Sequence, residues 1–417
     1  MCCIFHKKIF IISFIYFLII FSIPVSIGNA ENYYELVYDR HISMYAGTKT
    51  LKSVYSFTCN LTENLIMDNL IVESSFKNDA LGIILRSSKL ILFDFPFAYI
   101  AFIFQHEYMG HGSLPRKLNW ETQYTFFYPF PYGRGGAIIE IVDIEKYYND
   151  LSYSEQAYTT TSGVESSQYL SKEIQKEFYI KGKTHYTDLL LYGINKLDIS
   201  VYILSTRPSV WSGDINSFIY ELPRSIGQSL DLDELYENLK LGAIWNIIDP
   251  TLWIAGYHGL KYIVNGERIS KIPMFKLGET YFMPATRFSL TPIGYEYYFD
   301  LMILDNKTLY STYFRKGRGG EDFYYGSGIG IDNIILFENL SIGINTDIWK
   351  QIIIETTAEY YDERKEILAG NLNFDCKFIP LNNFGITLSI GYKEKGYLIG
   401  RPYEKGAYGY AGIIFGF

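Results

Sequence analysis

Residues 384–392, FGITLSIGY, set Phe384, Ile386, Leu388, Ile390 and Tyr392 in strict alternation with Gly385, Thr387, Ser389 and Gly391. Successive side chains of a strand point to opposite faces, so this segment reads as a strand with one apolar face and one polar or glycine face. The same pattern recurs on the N-terminal side. In 340–348, LSIGINTDI, Leu340, Ile342, Ile344, Thr346 and Ile348 alternate with Ser341, Gly343, Asn345 and Asp347. Ile352, Ile354, Thr356, Ala358 and Tyr360 outline another strand, opposed by Glu355, Thr357 and Glu359. In 368–378, LAGNLNFDCKF, Leu372, Phe374, Cys376 and Phe378 oppose Asn371, Asn373, Asp375 and Lys377. Segments of about ten residues match the length of a tilted membrane strand. The polar faces suit a barrel lumen. Residues 271–417 are therefore expected to form an antiparallel transmembrane β-barrel of eight strands, possibly ten, with Tyr281–Leu290 the doubtful segment. A barrel of eight is filled by its own side chains. It would serve as an anchor, and chemistry would belong to the residues before it.

Composition agrees. The chain of 417 residues is 48% hydrophobic and 20% charged, which excludes a disordered tail protein. Its 39 Tyr and 29 Phe fit aromatic girdles at a membrane interface. The net charge is −8 and no basic patch stands out, which argues against a nucleic-acid partner. Lys7 and Lys8, the apolar run Ile9 to Ile27 and the small residues of Gly28-Asn29-Ala30 read as a secretory signal over residues 1–30, cleaved after Ala30. No Cys follows the apolar run, so a lipid-anchored amino terminus is not expected. The mature chain keeps only Cys59 and Cys376, too few for a disulfide framework.

Residues 31–270 read as an α-rich domain. Two strands are expected near its start, Tyr33–Tyr38 and Leu51–Cys59. The apolar stretch Leu90 to Phe104, broken by charges nearby at Arg86, Lys89 and Asp94, reads as a buried helix, with Asp94 as its cap ahead of Pro96. Residues 133–143, GRGGAIIEIVD, read as a glycine-opened strand whose edge could take up an extended peptide. Helices are expected in 151–178 and in parts of 183–206 and 226–262. One of these starts after Asp249-Pro250.

The apolar helix ends in His106-Glu107-Tyr108-Met109-Gly110-His111. Two His one turn apart, with Glu beside the first, is the zinc-peptidase arrangement: two imidazole ligands and a general base. Here the second His is at i+5, which a regular helix rotates about 140° away. A π-bulge absorbs one such extra residue, and Gly110 stands where backbone freedom is needed. The plainer possibility is a hydrogen bond between Glu107 and His111, which are four apart.

This HExxGH sequence resembles the motif of the dipeptidyl peptidase type III metallopeptidases. The resemblance covers six residues and does not extend to that family's second, acidic motif. It implies His106 and His111 as zinc ligands and Glu107 as the base. A third protein ligand leaves one tetrahedral position for water. Glu165, on the next long helix, is the first choice, with Glu140, Asp143 and Glu173 behind it. Zinc would lower the pKa of that water and Glu107 would take its proton. His185, His258 and His41 show no such grouping. At the other end of the chain, Ala411–Phe417, AGIIFGF, resembles the C-terminal assembly signal of bacterial outer-membrane barrels.

The fold expected is α+β: an α-rich, zincin-like periplasmic domain over 31–270, then the barrel over 271–417. The expected function is an outer-membrane-anchored zinc (Zn2+) metallopeptidase-like protein acting on a peptide or protein substrate, with the lipid bilayer as its other partner. Two alternatives are a non-enzymatic outer-membrane β-barrel protein whose metal site is structural or absent, and a soluble secreted peptidase with a β-rich tail.

Overall fold

A computed structural model describes residues 33–63, 80–206, 213–356, 362–381 and 383–416. The expected leader and Phe417 lie outside the described residues. The first strand, β1 (Tyr33–Tyr38), is where the sequence puts it. It leads into α1 (Met44–Thr62), so Leu51–Cys59 is helix and not the strand expected there. Ser43 accepts from the Ala46 amide and fixes the helix start. Tyr55 and Phe57 are buried from opposite sides of α1, Tyr55 stacked on Phe97 and Phe57 packed edge-on against Tyr34 and Phe415.

Next comes one 32-residue helix, Ala80–His111. It comprises α2 (Ala80–Lys89), a π-helical segment Leu90–Asp94, α3 (Phe95–Ile103) and a second π-helical segment Phe104–His111. Asp94, expected as a cap, lies in mid-helix and caps nothing. Its carboxylate instead accepts from Lys89 Nζ at 2.9 Å and from the Tyr186 hydroxyl at 2.9 Å. Pro96 has no amide to offer the Leu92 carbonyl four residues back. The Tyr132 hydroxyl donates to that carbonyl at 2.7 Å, so the helix continues through the proline.

Then follow α4 (Ser113–Lys117), the hairpin β2 (Thr122–Phe126) and β3 (Ala137–Ile141), and α5 (Ile144–Asp150). The glycine-opened strand is β3, with Gly135 and Gly136 at φ 72° and 99°. The longest helix is α6 (Tyr153–Lys181), started by a Ser152–Glu155 capping box and ended by Gly182 in the left-handed conformation. After β4 (Lys183–His185) come α7 (Tyr186–Ser205), α8 (Asp214–Ile226), α9 (Leu232–Ile247), α10 (Pro250–Asn265) and β5 (Ile269–Lys271). Asp249 caps α10 by accepting from the Thr251 amide.

The remaining strands are β6 (Phe275–Leu277), β7 (Thr280–Thr291), β8 (Gly294–Asp305), β9 (Thr308–Gly319), β10 (Asp322–Phe337), β11 (Leu340–Thr356), β12 (Asp362–Leu381), β13 (Phe384–Lys393) and β14 (Gly406–Gly416). Together with β1 they form one antiparallel ten-stranded sheet in the order β1-β14-β13-β12-β11-β10-β9-β8-β7-β6. Tyr281–Leu290 is a full strand. The stretches 340–348 and 352–356, read as parts of separate strands, are one strand, β11, paired with β12 along its length. The expected closed barrel is not what the described strands form, because the outer strands β1 and β6 are not paired with each other. Contacts also cross the boundary expected at residues 270 and 271. Strand β1 pairs with β14, Tyr34 opposite Phe415, and α6 packs on β7, β8 and β9.

The face assignment read from the alternation holds. Phe374, Leu388 and Ile390 are exposed, while Asn373 and Ser389 are buried on the other face. That inner face carries paired charges: Arg287 with Asp300 at 2.7 and 2.9 Å, and Arg315 with Glu296 at 2.8 and 3.0 Å. Against it lies α6, whose Thr161, Ser162, Ser166, Ser167 and Gln168 are fully buried. The interior is thus filled by a polar helix and not by strand side chains alone. Cys59 and Cys376 are both free thiols.

Candidate metal centre

The second π-helical segment solves the spacing problem at His106 and His111. In π geometry the amide five residues on takes the carbonyl, and the Gly112 amide donates to Glu107 O at 2.9 Å. This winding brings residues five apart onto one side. The two imidazole rings lie 5.0 Å apart, centroid to centroid.

Their Nε2 atoms converge on one carboxylate. Asp214 Oδ2 is 2.9 Å from His106 Nε2 and 3.1 Å from His111 Nε2. Asp214 opens α8, and its own amide donates to the Tyr202 hydroxyl at 2.8 Å. Tetrahedral donors about 2.0 Å from a zinc ion stand roughly 3.3 Å apart, close to these separations. His106, His111 and Asp214 each offer one ligand atom, all within 4.8 Å of one another.

The far side of each ring is also held. His106 Nδ1 lies 2.9 Å from Asp198 Oδ2, and His111 Nδ1 lies 2.6 Å from the Thr159 carbonyl. A carbonyl only accepts, so His111 Nδ1 carries the proton and neutral His111 presents the Nε2 lone pair. A lone pair facing a carboxylate needs positive charge between them, supplied by protons or by a cation. Burial disfavours a charged Asp214, but His111 and His106 outweigh it and hold its carboxyl well below the usual carboxylate range.

The backbone makes room on the Nε2 side. A Cβ on Gly163 of α6 would fall 2.3 Å from His111 Nε2 and 2.5 Å from His106 Nε2. A Cβ on Gly110 would strike the Ser162 carbonyl at 2.6 Å. Two glycines therefore let the π-segment and α6 approach until the imidazoles lie over bare backbone. The donor set and this cradle both fit a small divalent cation.

Glu107 is half-buried and close enough to His111, Tyr99 and Tyr202 to act on each electrostatically. His111 spends its two ring nitrogens on Thr159 and Asp214, so the simple Glu107–His111 pair is not formed. Glu165 is not brought to the histidines. Two residues from Gly163, it projects about 160° around α6. Its carboxylate accepts from the Gly400 amide at 2.9 Å, on the sheet side. Of the other carboxylates considered, Glu140 is exposed on β3, Asp143 accepts from the Lys146 amide at the start of α5, and Glu173 lies 3.7 Å from Lys176. His185 caps α7 and His258 is buried in α10.

Sequence reasoning missed Asp214 and Asp198. Asp214 follows Gly213 and reads as an ordinary helix start. Asp198 was the better signal: an acid set between Leu197 and Ile199 on a largely buried helix needs a partner. Asp198→Asn is expected to weaken zinc affinity 10- to 100-fold, the usual cost of losing a carboxylate behind a ligand histidine. Competition against a zinc-chelating dye measures this, and an unchanged affinity counts against His106 as a ligand.

No protein family matches the chain, and no curated relative matches it. One solved structure, the N-terminal β-barrel domain of Pseudomonas aeruginosa OprF, overlaps 33% of this chain and 94% of its own, at 14% identity and a TM-score of 0.16. So slight an overlap does not bear on function.

Proposed function

We propose that the protein is a membrane-anchored, zinc-dependent metallopeptidase-like hydrolase. The observation that supports this reading is the convergence of His106 Nε2, His111 Nε2 and Asp214 Oδ2, with both Nδ1 atoms locked from behind. Two His and one carboxylate leave a tetrahedral zinc ion one open position, as hydrolytic sites require. When bound, zinc supplies a Lewis acid for the scissile carbonyl and acidifies a water. Glu107 takes the proton from the attacking water and returns it to the leaving nitrogen. The Tyr202 hydroxyl accepts from the Asp214 amide and keeps its own proton free to donate, which suits it to steady charge on the carbonyl oxygen. The strand β3 packs beside the π-segment and, among the described residues, pairs with β2 alone, so its other edge can add an extended peptide.

The sheet serves as the anchor in this reading. Its exposed face is mainly apolar, while the ion pairs Arg287–Asp300 and Arg315–Glu296 and many polar side chains are on its buried face, the polarity of an outer-membrane wall. The deciding measurement is zinc per chain in the purified protein. One equivalent, removed by a chelator and restored by titration, is the expected result. A wild-type chain that contains none and takes up none on titration makes the histidines structural and leaves a non-enzymatic membrane protein.

A further inference from the structure

The sheet leaves one flank of the molecule open, and helices stand in that gap. From the β7 side, α9 and α10 pack on β7, and α10 packs on α2. From the β1 side, α1 packs on β1 and on α3. Strands and helices together therefore form a circuit around α6.

The outer surface of these helices is apolar. In Ala80–His111 the most apolar window is only 28% buried, although its length and composition suffice to cross a membrane. The core helix of a soluble protein with that composition would be mostly buried. Ile84, Leu85, Leu92, Phe93 and Ile100 face outward instead. The charges of the same helix turn inward. Arg86 donates to the carbonyls of Ile263 and Val264 at 2.8 and 2.9 Å, at the end of α10. Lys89 reaches Glu63 at 2.7 Å and Asp94 at 2.9 Å. Trp253, Tyr257 and Leu260 on α10, and Leu241 and Ile244 on α9, extend the outward apolar surface. On α9 the exposed acids Asp233, Glu234 and Glu237 are confined to its first half. Charges paired inward beneath an apolar exterior are what hydrocarbon demands and water does not.

We propose that α2–α3, α10 and the second half of α9 lie in the bilayer and complete the lipid-facing wall that the open sheet begins. This rests on the reading of the sheet's apolar face as lipid-facing. The helical half is then part of the membrane body and not a separate periplasmic domain. The histidine pair, in the last turn of the apolar helix, sits near the membrane's edge, so a polypeptide held at the membrane surface is the substrate class the site would meet.

The test uses the full chain in phosphatidylcholine vesicles, with its own thiols replaced and single nitroxide labels at surface positions. Ile84, Leu92 and Leu260 report the helices, Ile329 and Leu388 the sheet, and Glu237 the aqueous phase. Loss of collisions with water-soluble chromium oxalate at helix and sheet positions alike, with collisions kept at Glu237, is expected. Loss at the sheet positions alone overturns the helical wall and leaves the anchored reading standing. Collisions kept at all positions overturn both. The unlabelled protein gives a second readout: brominated-acyl lipid should quench emission from Trp253, and the quenching should shrink in Trp253→Phe. Absence of that quenching also overturns the proposal.

Discussion

Asp214→Ala is expected to purify without zinc and to bind it more weakly than the 10- to 100-fold cost of a lost supporting hydrogen bond. Among the described residues, Asp214 supplies the carboxylate oxygen that meets both Nε2 atoms, at 2.9 and 3.1 Å. Without it, two neutral imidazoles remain, and Glu165, engaged with Gly400, does not take its place. Gly163→Ala is expected to have the same result for a different reason. It leaves every donor in place but puts a methyl group where a ligand-bound ion and its histidines need space. Glu165→Gln, by contrast, is expected to keep one zinc per chain. Elemental analysis of the three variants beside wild type separates these outcomes. Zinc at wild-type affinity in Asp214→Ala, or its loss in Glu165→Gln, would return the third position to Glu165.

Glu107→Gln is expected to keep its zinc and to lose hydrolysis by a factor on the order of 10² to 10⁴. The amide cannot take a proton from water, yet it fills the same space and ligates nothing that Glu107 ligated. The readout is cleavage of an unfolded protein substrate by the vesicle-bound enzyme, with zinc content measured on the same sample. Loss of zinc with activity would make Glu107 a ligand. Full activity in a zinc-loaded Glu107→Gln would exclude it as the base and require another group to accept the proton.

The sequence by itself determined which face each C-terminal strand presents. Period-two alternation is local, and whichever partner a strand finds, Phe374 and Leu388 stay on one side and Asn373 and Ser389 on the other. It also marked His106, Glu107 and His111, because their spacing is readable only with a bulged helix, and the π-segment Phe104–His111 supplies one. Short-range signals misled where packing overrode them. Asp94 had the chemistry of a cap but took Lys89 and Tyr186 as partners, since the helix before it was continuous. The polar run from Thr159 to Gln168 is buried because it meets other polar groups: Thr159 and Ser166 bond to the π-segment, Thr160 to Glu221 of α8 and Gln168 to the carbonyls of α7.

Only the tertiary structure brought Asp214 to the two histidines, left β1 and β6 unpaired with each other and joined the first described strand to the last. Asp214 lies 103 residues beyond His111, and nothing in its own neighbourhood distinguishes it from a helix-opening aspartate. The pairing of Tyr34 with Phe415 joins the first described strand to the last. Such contacts depend on where α6 lies, since it carries Gly163 to the imidazoles and Glu165 to the sheet from opposite sides of one helix. A one-dimensional pattern records which side a residue is on; the packing of α6 between the π-segment and the sheet settles what each side meets.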